Sequence, residues 1–362
     1  MKRIKQLIFT AGLVCSVVMI IFTACTKEGP QGPAGPAGKN GTNGTNGKDA
    51  NATCTQCHNW SDSLVTKIFQ YDASRHSLGE TTFEGTRTSC APCHTSQGFV
   101  ECASTGSDTT AAPVYDAAQI NCRTCHKIHK TYTNNDWELI VTSGFNPRYD
   151  KTVTIDLAAD GGGSNLCARC HQPRTTSPWL TNPSSTTDSL KPTSSRWGPH
   201  YGAAGVVFAA KGAFEIGTSA FRSTNHKDAL SCATCHQAQA QGALVGGHSL
   251  WMSNEEEGIK NNVSCKSAGC HSSLGNNTFN VNGKETEIAG MIQTLKVKLA
   301  VAGMLDTNTN NLKTGKWYKQ KQLAVFWNYK LAYYDKSNGI HNYLYTYDML
   351  QSGIDYMASL GY

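Results

Sequence analysis

A chain of 362 residues is long enough for one large domain or two ordinary ones. Its formal charge of +6 is no footprint of nucleic-acid binding, because Lys2, Arg3 and Lys5 sit in a segment that reads as removed on export, leaving +3. The chain has no glycine-rich phosphate loop, no paired-carboxylate site and no nucleophile triad, whereas its fifteen cysteines are far in excess of ordinary use.

The chain opens MKRIK and continues through eighteen mostly apolar residues to Cys25. A basic stretch, an apolar stretch and small residues before a break are the marks of an export signal, here residues 1–24. Phe22-Thr23-Ala24-Cys25 resembles the bacterial lipobox, in which the cysteine is diacylated and becomes the new N-terminus. Two acyl chains hold a protein firmly on a membrane. The competing expectation is a retained transmembrane helix, since eighteen residues just span a bilayer.

Residues 25–50 carry glycine at 29, 32, 35, 38, 41, 44 and 47, a strict Gly-X-Y period of collagen type. With three prolines, all in the first half, these triplets make a weak triple helix, so a solvated tether is expected before a trimerising stalk.

From residue 51 on, twelve of the remaining thirteen cysteines form six pairs, and each pair ends immediately before a histidine. The stretches are CTQCH (Cys54, Cys57, His58), CAPCH (Cys90, Cys93, His94), CRTCH (Cys122, Cys125, His126), CARCH (Cys167, Cys170, His171), CATCH (Cys232, Cys235, His236) and the longer CKSAGCH (Cys265, Cys270, His271). A disulfide framework gives no reason for those histidines, and neither does a zinc ribbon. In C-x-x-C-H the two thiols add across the vinyl groups of a porphyrin and the histidine takes one face of its iron, so six covalently attached c-type haems are expected. Lone Cys102 reads as a small buried hydrophobe.

Six histidines remain: His76, His129, His200, His226, His248 and His341. Six irons with one motif histidine each need six more axial ligands, so the count closes with none to spare. His129 stands three residues after His126 in CRTCHKIH and cannot reach the opposite face of that motif's iron, so it is expected to serve a neighbouring haem. The small residues around the other five, as in GGHSL and SNGIHNY, are expected to let a flat macrocycle approach the backbone.

These stretches resemble bacterial multihaem c-type cytochromes that exchange electrons with extracellular acceptors or partner proteins. The resemblance is carried by CRTCHKIH, by the SxHKD-like stretch before CATCH, by GGHS after it, and by SNGIHNYLYTYDMLQSGI. It covers roughly residues 51–362. The last segment is similar to the long helices that carry a distal histidine in multihaem nitrite- and hydroxylamine-converting enzymes. Those enzymes keep one haem with an open face, in nitrite reductases often with lysine in place of the motif histidine. No C-x-x-C-K occurs here, and that departure turns the reading from enzyme to electron carrier.

The resemblance implies redox partner proteins or extracellular acceptors, export to the bacterial envelope and a lipid anchor, with the periplasmic or cell-surface side left open. A multihaem reductase of a nitrogen or sulfur oxyanion, and a subunit of a conductive filament, remain as alternatives.

About 310 residues for six haems leaves roughly fifty per haem, so the fold is expected to be mainly loop, with the porphyrins as the core. WELIVTS and KTVTIDL (137–157) have the β-branched content of a small hairpin. Three helices are expected near residues 287–305, 318–335 and from Ile340 to Leu360. Their tyrosines and tryptophans are expected to wall a haem. Six ferric haems, each net −1 with two ionised propionates, would bring the processed protein to about −3.

Overall fold

The computed structural model describes His58, residues 61–217 and residues 219–362. The signal, Cys25, the Gly-X-Y spacer, Cys54 and Cys57 lie outside the described residues. No helix among the described residues is long and apolar enough to cross a membrane.

The architecture is helices with little sheet. The longer helices are α1 (Asp62–Asp72), α2 (Ser96–Thr105), α3 (Lys284–Val301), α4 (Gln320–Asp335) and α5 (Tyr343–Ser359). The strands are two-residue pieces in three antiparallel pairs: Ser189–Leu190 with Tyr318–Lys319, Ser253–Asn254 with Ile259–Lys260, and Leu305–Asp306 with Asn311–Leu312.

Helix α3 carries Glu285 and Glu287 in its first turn and Lys298 in its last, each charge at the end of the dipole that favours it. It buries Ile288, Leu295 and Leu299, seven and four residues apart, on one face. Helix α4 is buried almost all round from Leu323 to Ala332, so it forms the centre of the packing. Helix α5 begins at Asn342, whose side-chain oxygen accepts from Tyr345 N. A Cβ at Gly353 would stand 3.1 Å from Leu295 Cδ2 and 3.2 Å from Val325 Cγ1, so glycine is what allows the three helices to close on one another.

Loops are pinned to this bundle by buried amides. Asn328 accepts from Phe214 N and donates to its carbonyl, both at 2.8 Å. Gln320 Oε1 accepts from Thr181 N and Asn182 N.

Two expectations change here. The protein has an apolar core of its own, running from Tyr149 through Val206, Val207 and Trp197 to the three C-terminal helices. An average of roughly fifty residues per haem implies an even spread, whereas most buried apolar side chains gather in one cluster. Trp327 and Tyr329 of α4 are fully buried in that core beside Trp197 and Phe326, so these two rings of the expected aromatic wall are core packing. Tyr334 packs at the edge of that core, its ring tilted at 58° to that of Tyr201, the neighbour of His200, with centroids 4.5 Å apart.

The expected hairpin is reduced to one bridge, Phe145 with Ile155, bonded in both directions at 2.9 Å. Its first arm pairs with the exit of CRTCH instead: Ile140 N donates to Cys125 O and Lys127 N to Glu138 O. A motif turn leaves these backbone groups without helical partners, and the nearby extended segment satisfies them.

Candidate metal centres

Each motif with described cysteines is a single helical turn. His94 N donates to Cys90 O, His126 N to Cys122 O and His171 N to Cys167 O, which places both cysteines on one face of the turn and the histidine next along it. Asn121 with Thr124, and Ser231 with Thr234, form reciprocal caps that start two of these turns. The long motif reaches the same closure: His271 N donates to Cys265 O at 3.0 Å. Its two extra residues are absorbed by a 3-10 turn at Ser267–Gly269 with Gly269 at φ +74°.

Every motif histidine faces one of the six others. Ring centroids are 6.1 Å apart for His58 and His129, 6.2 Å for His171 and His76, and 6.0 Å for His94 and His200. They are 6.4 Å apart for His126 and His248, 6.2 Å for His236 and His341, and 6.3 Å for His271 and His226. A metal–imidazole bond is about 2.0 Å and a ring centroid lies about 1.1 Å behind its nitrogen, so two rings bound end-on to one ion have centroids roughly 6.2 Å apart.

The ring nitrogens fit the same purpose. Nδ1 of His126 donates to Trp137 O at 2.6 Å, that of His236 to Leu250 O at 2.8 Å and that of His226 to Ile340 O at 3.0 Å. A carbonyl only accepts, so Nδ1 holds the hydrogen and the lone pair is left on Nε2. His94 Nδ1 lies 2.8 Å from the Thr81 hydroxyl. Burial favours the neutral ring, drawing His171 and His200 down to about 4 and lowering His76, His94, His226, His236 and His248.

His341 differs. Burial pulls it down, but the carboxylate of Asp335, 2.7 Å from Nδ1, more than reverses this and holds it above the ordinary histidine value.

Local structure explains how the distal rings are aimed. His129 has φ +61°, rare for a residue with a side chain, and Asp136 holds it there by accepting from the backbone N–H of His129, Thr131 and Tyr132. Tyr132 stacks flat on its ring at 5.7 Å. His248 is set by Gln70 of α1, whose Oε1 accepts from His248 N at 2.9 Å.

A Cβ at Gly247 would meet that same oxygen at 2.2 Å, and one at Gly246 would meet Ala238 O at 2.6 Å. These glycines make room for protein atoms and for positive φ.

The motif turns also touch one another. Cys93 Sγ lies 3.8 Å from Arg169 O while Cys170 Sγ lies 3.8 Å from Pro92 O, a reciprocal contact of CAPCH with CARCH. Cys167 and Cys232 are in side-chain contact, and Cys232 N donates to Ser164 Oγ at 3.0 Å, joining CARCH to CATCH. The Ile340 carbonyl that holds His226 precedes His341, which joins the sites of His271 and His236. His126 and His129, on one short loop, belong to different sites.

Among the described residues no three His, Cys, Asp or Glu side chains converge on a metal-sized point, as a tetrahedral zinc cage would require. Pairs are what an iron held by four porphyrin nitrogens takes from a protein, and the residues present fit that group. None of the described cysteines is in a disulfide, and Cys102 is buried on α2, with its thiol pushed up by burial.

The sequence singles out all twelve paired histidines but not Asp335, Asp136, Thr81 and Gln70, which position them. Their signals were weak: an acidic residue a few places before or after a lone histidine is common, and Gln70 and Thr81 carry none. No family model, no curated protein and no solved structure matches this chain.

Proposed function

We propose that the protein is a hexahaem c-type cytochrome whose task is electron transfer. The observation that carries this reading is the one-to-one facing of six motif histidines with the six others, at 6.0 to 6.4 Å. The cysteine pairs Cys54/Cys57, Cys90/Cys93, Cys122/Cys125, Cys167/Cys170, Cys232/Cys235 and Cys265/Cys270 would hold six haems c covalently, each between the two histidines of one pair. Bound there, the haem iron supplies one-electron chemistry, ferric to ferrous and back.

The chain's own residues suit a carrier. Two imidazoles per site would hold the iron from both sides, leaving no position for a substrate atom. Nδ1 partners lock the rings of His94, His126, His226, His236 and His341, which limits reorganisation when charge changes. The motif contacts support a series in which CARCH adjoins both CAPCH and CATCH, and CATCH leads on to CKSAGCH. Export, a diacyl anchor at Cys25 with residues 26–50 as tether, and redox proteins or extracellular acceptors as partners complete the proposal.

The test is carbon monoxide added to the dithionite-reduced protein. A Soret band unchanged in shape supports six closed irons. A shift of about one sixth of the band would mean one open iron and would turn the reading to a multihaem oxyanion reductase.

A further inference from the structure

Resting on the haem reading above, we infer that Asp335 is a positioning residue that makes the site of His236 and His341 the lowest in potential of the six. Asp335 ends helix α4, and its side chain is 1 % exposed. Its Oδ1 accepts from His341 Nδ1 at 2.7 Å and its Oδ2 from the Ser337 hydroxyl. The Ser337 oxygen in turn accepts from His341 N at 3.3 Å, so the carboxylate and the ring are fixed as one unit. No lysine or arginine among the described residues pairs with Asp335, and its negative charge is therefore directed at the imidazole.

The other rings whose Nδ1 partner is seen have neutral acceptors: the carbonyls of Trp137, Leu250 and Ile340, and the hydroxyl of Thr81. A buried carboxylate on Nδ1–H draws that hydrogen away and pushes electron density onto Nε2. A stronger donor favours ferric over ferrous iron, and the opposite ligand, His236, adds no compensating change because Leu250 O is neutral. The consequence is functional. This site adjoins both CARCH and CKSAGCH, so electrons passing from one to the other through it cross the hardest iron to reduce.

The experiment is a spectroelectrochemical titration of the haem-loaded full chain, wild type against Asp335→Asn, with the haem count of each sample measured first. A count well below six in the wild type refutes the haem reading itself. With six haems in both, the inference expects the last-reduced component, about one sixth of the absorbance change, to move upward, its reduced-to-oxidised ratio at fixed potential rising about tenfold or more. Superimposable titrations would overturn it, as would an upward move in any component but the last.

A second measurement needs no variant and covers failure of Asp335→Asn to accumulate. In the ferric wild type, near-infrared magnetic circular dichroism should show about one sixth of the bis-histidine charge-transfer intensity displaced to higher energy, the mark of a ligand with imidazolate character. A single undisplaced band would overturn the assignment.

Discussion

His129 faces His58, with ring centroids 6.1 Å apart and planes inclined by 27°, although it is separated from His126 by only two residues. One loop thus contributes a ring to each of two histidine pairs, His129 to His58 and His126 to His248, which on the proposed reading are the CTQCH and CRTCH sites. His129→Ala is expected to open the iron of the CTQCH site alone while all covalent haem bonds survive. Ferric spectra should gain a high-spin component of about one sixth, and carbon monoxide should bind one haem after reduction. A variant that stays wholly low-spin and silent to carbon monoxide would show that His129 is no ligand.

The second prediction is stoichiometric. Because His271 N reaches Cys265 O as its counterparts do in the short motifs, the long motif is expected to carry haem. Intact mass should show six additions of roughly 616 Da each, in agreement with a pyridine haemochrome assay. Five additions, with Cys265 and Cys270 free to alkylate, would refute this.

Gly247 offers a third. Its φ of +54° and the 2.2 Å approach of Gln70 Oε1 to an added Cβ mean that Gly247→Ala pays backbone strain and displaces the amide that holds His248. A loss of about 1–3 kcal/mol is expected from chemical denaturation. Gly258→Ala, which has positive φ but open space around it, should cost less. Equal costs would show that the Gln70 contact is without consequence.

The fourth concerns acid. Arg222 grips Asp348 of α5 through Nε and Nη2, at 2.6 to 3.2 Å, and the Arg222 hydrogen bond holds the Asp348 carboxyl below its ordinary range. The folded value is below the unfolded one, so this stabilisation is complete above the ordinary carboxylate value and is lost as pH falls through the lowered one. Asp348→Asn should cost less than about 1 kcal/mol at neutral pH, since Arg222 is largely exposed. The difference from wild type should vanish in acid; a difference that persists there would refute the ion pair as its source.

The fifth concerns the anchor. Cys25→Ser should leave the precursor unacylated and release haem-loaded protein from membranes, since acyl burial is the proposed attachment. Retention of the whole population in the membrane fraction would make residues 7–24 a span.

The motif histidines, the six leftover histidines and their matching number were all legible in the order of residues, because a C-x-x-C-H turn is a local object. Five residues suffice to close it, and the His126 N to Cys122 O bond spans four. The C-terminal helices were legible for the same reason, their apolar spacing being written along a single face. The partner of each histidine was not. Pairs join residues from 45 apart, His226 and His271, to 122 apart, His126 and His248, and no local pattern encodes which loop folds onto which. The apolar core was also hidden, since an average of residues per haem says nothing about where the aliphatic side chains gather. Asp335 shows the difference most plainly: six positions before His341 it looks like any solvated carboxylate at a helix end. Only the return of the chain after Ser337 buries it and turns its charge onto a histidine, because removing water is what gives a single carboxylate the strength to govern its neighbour.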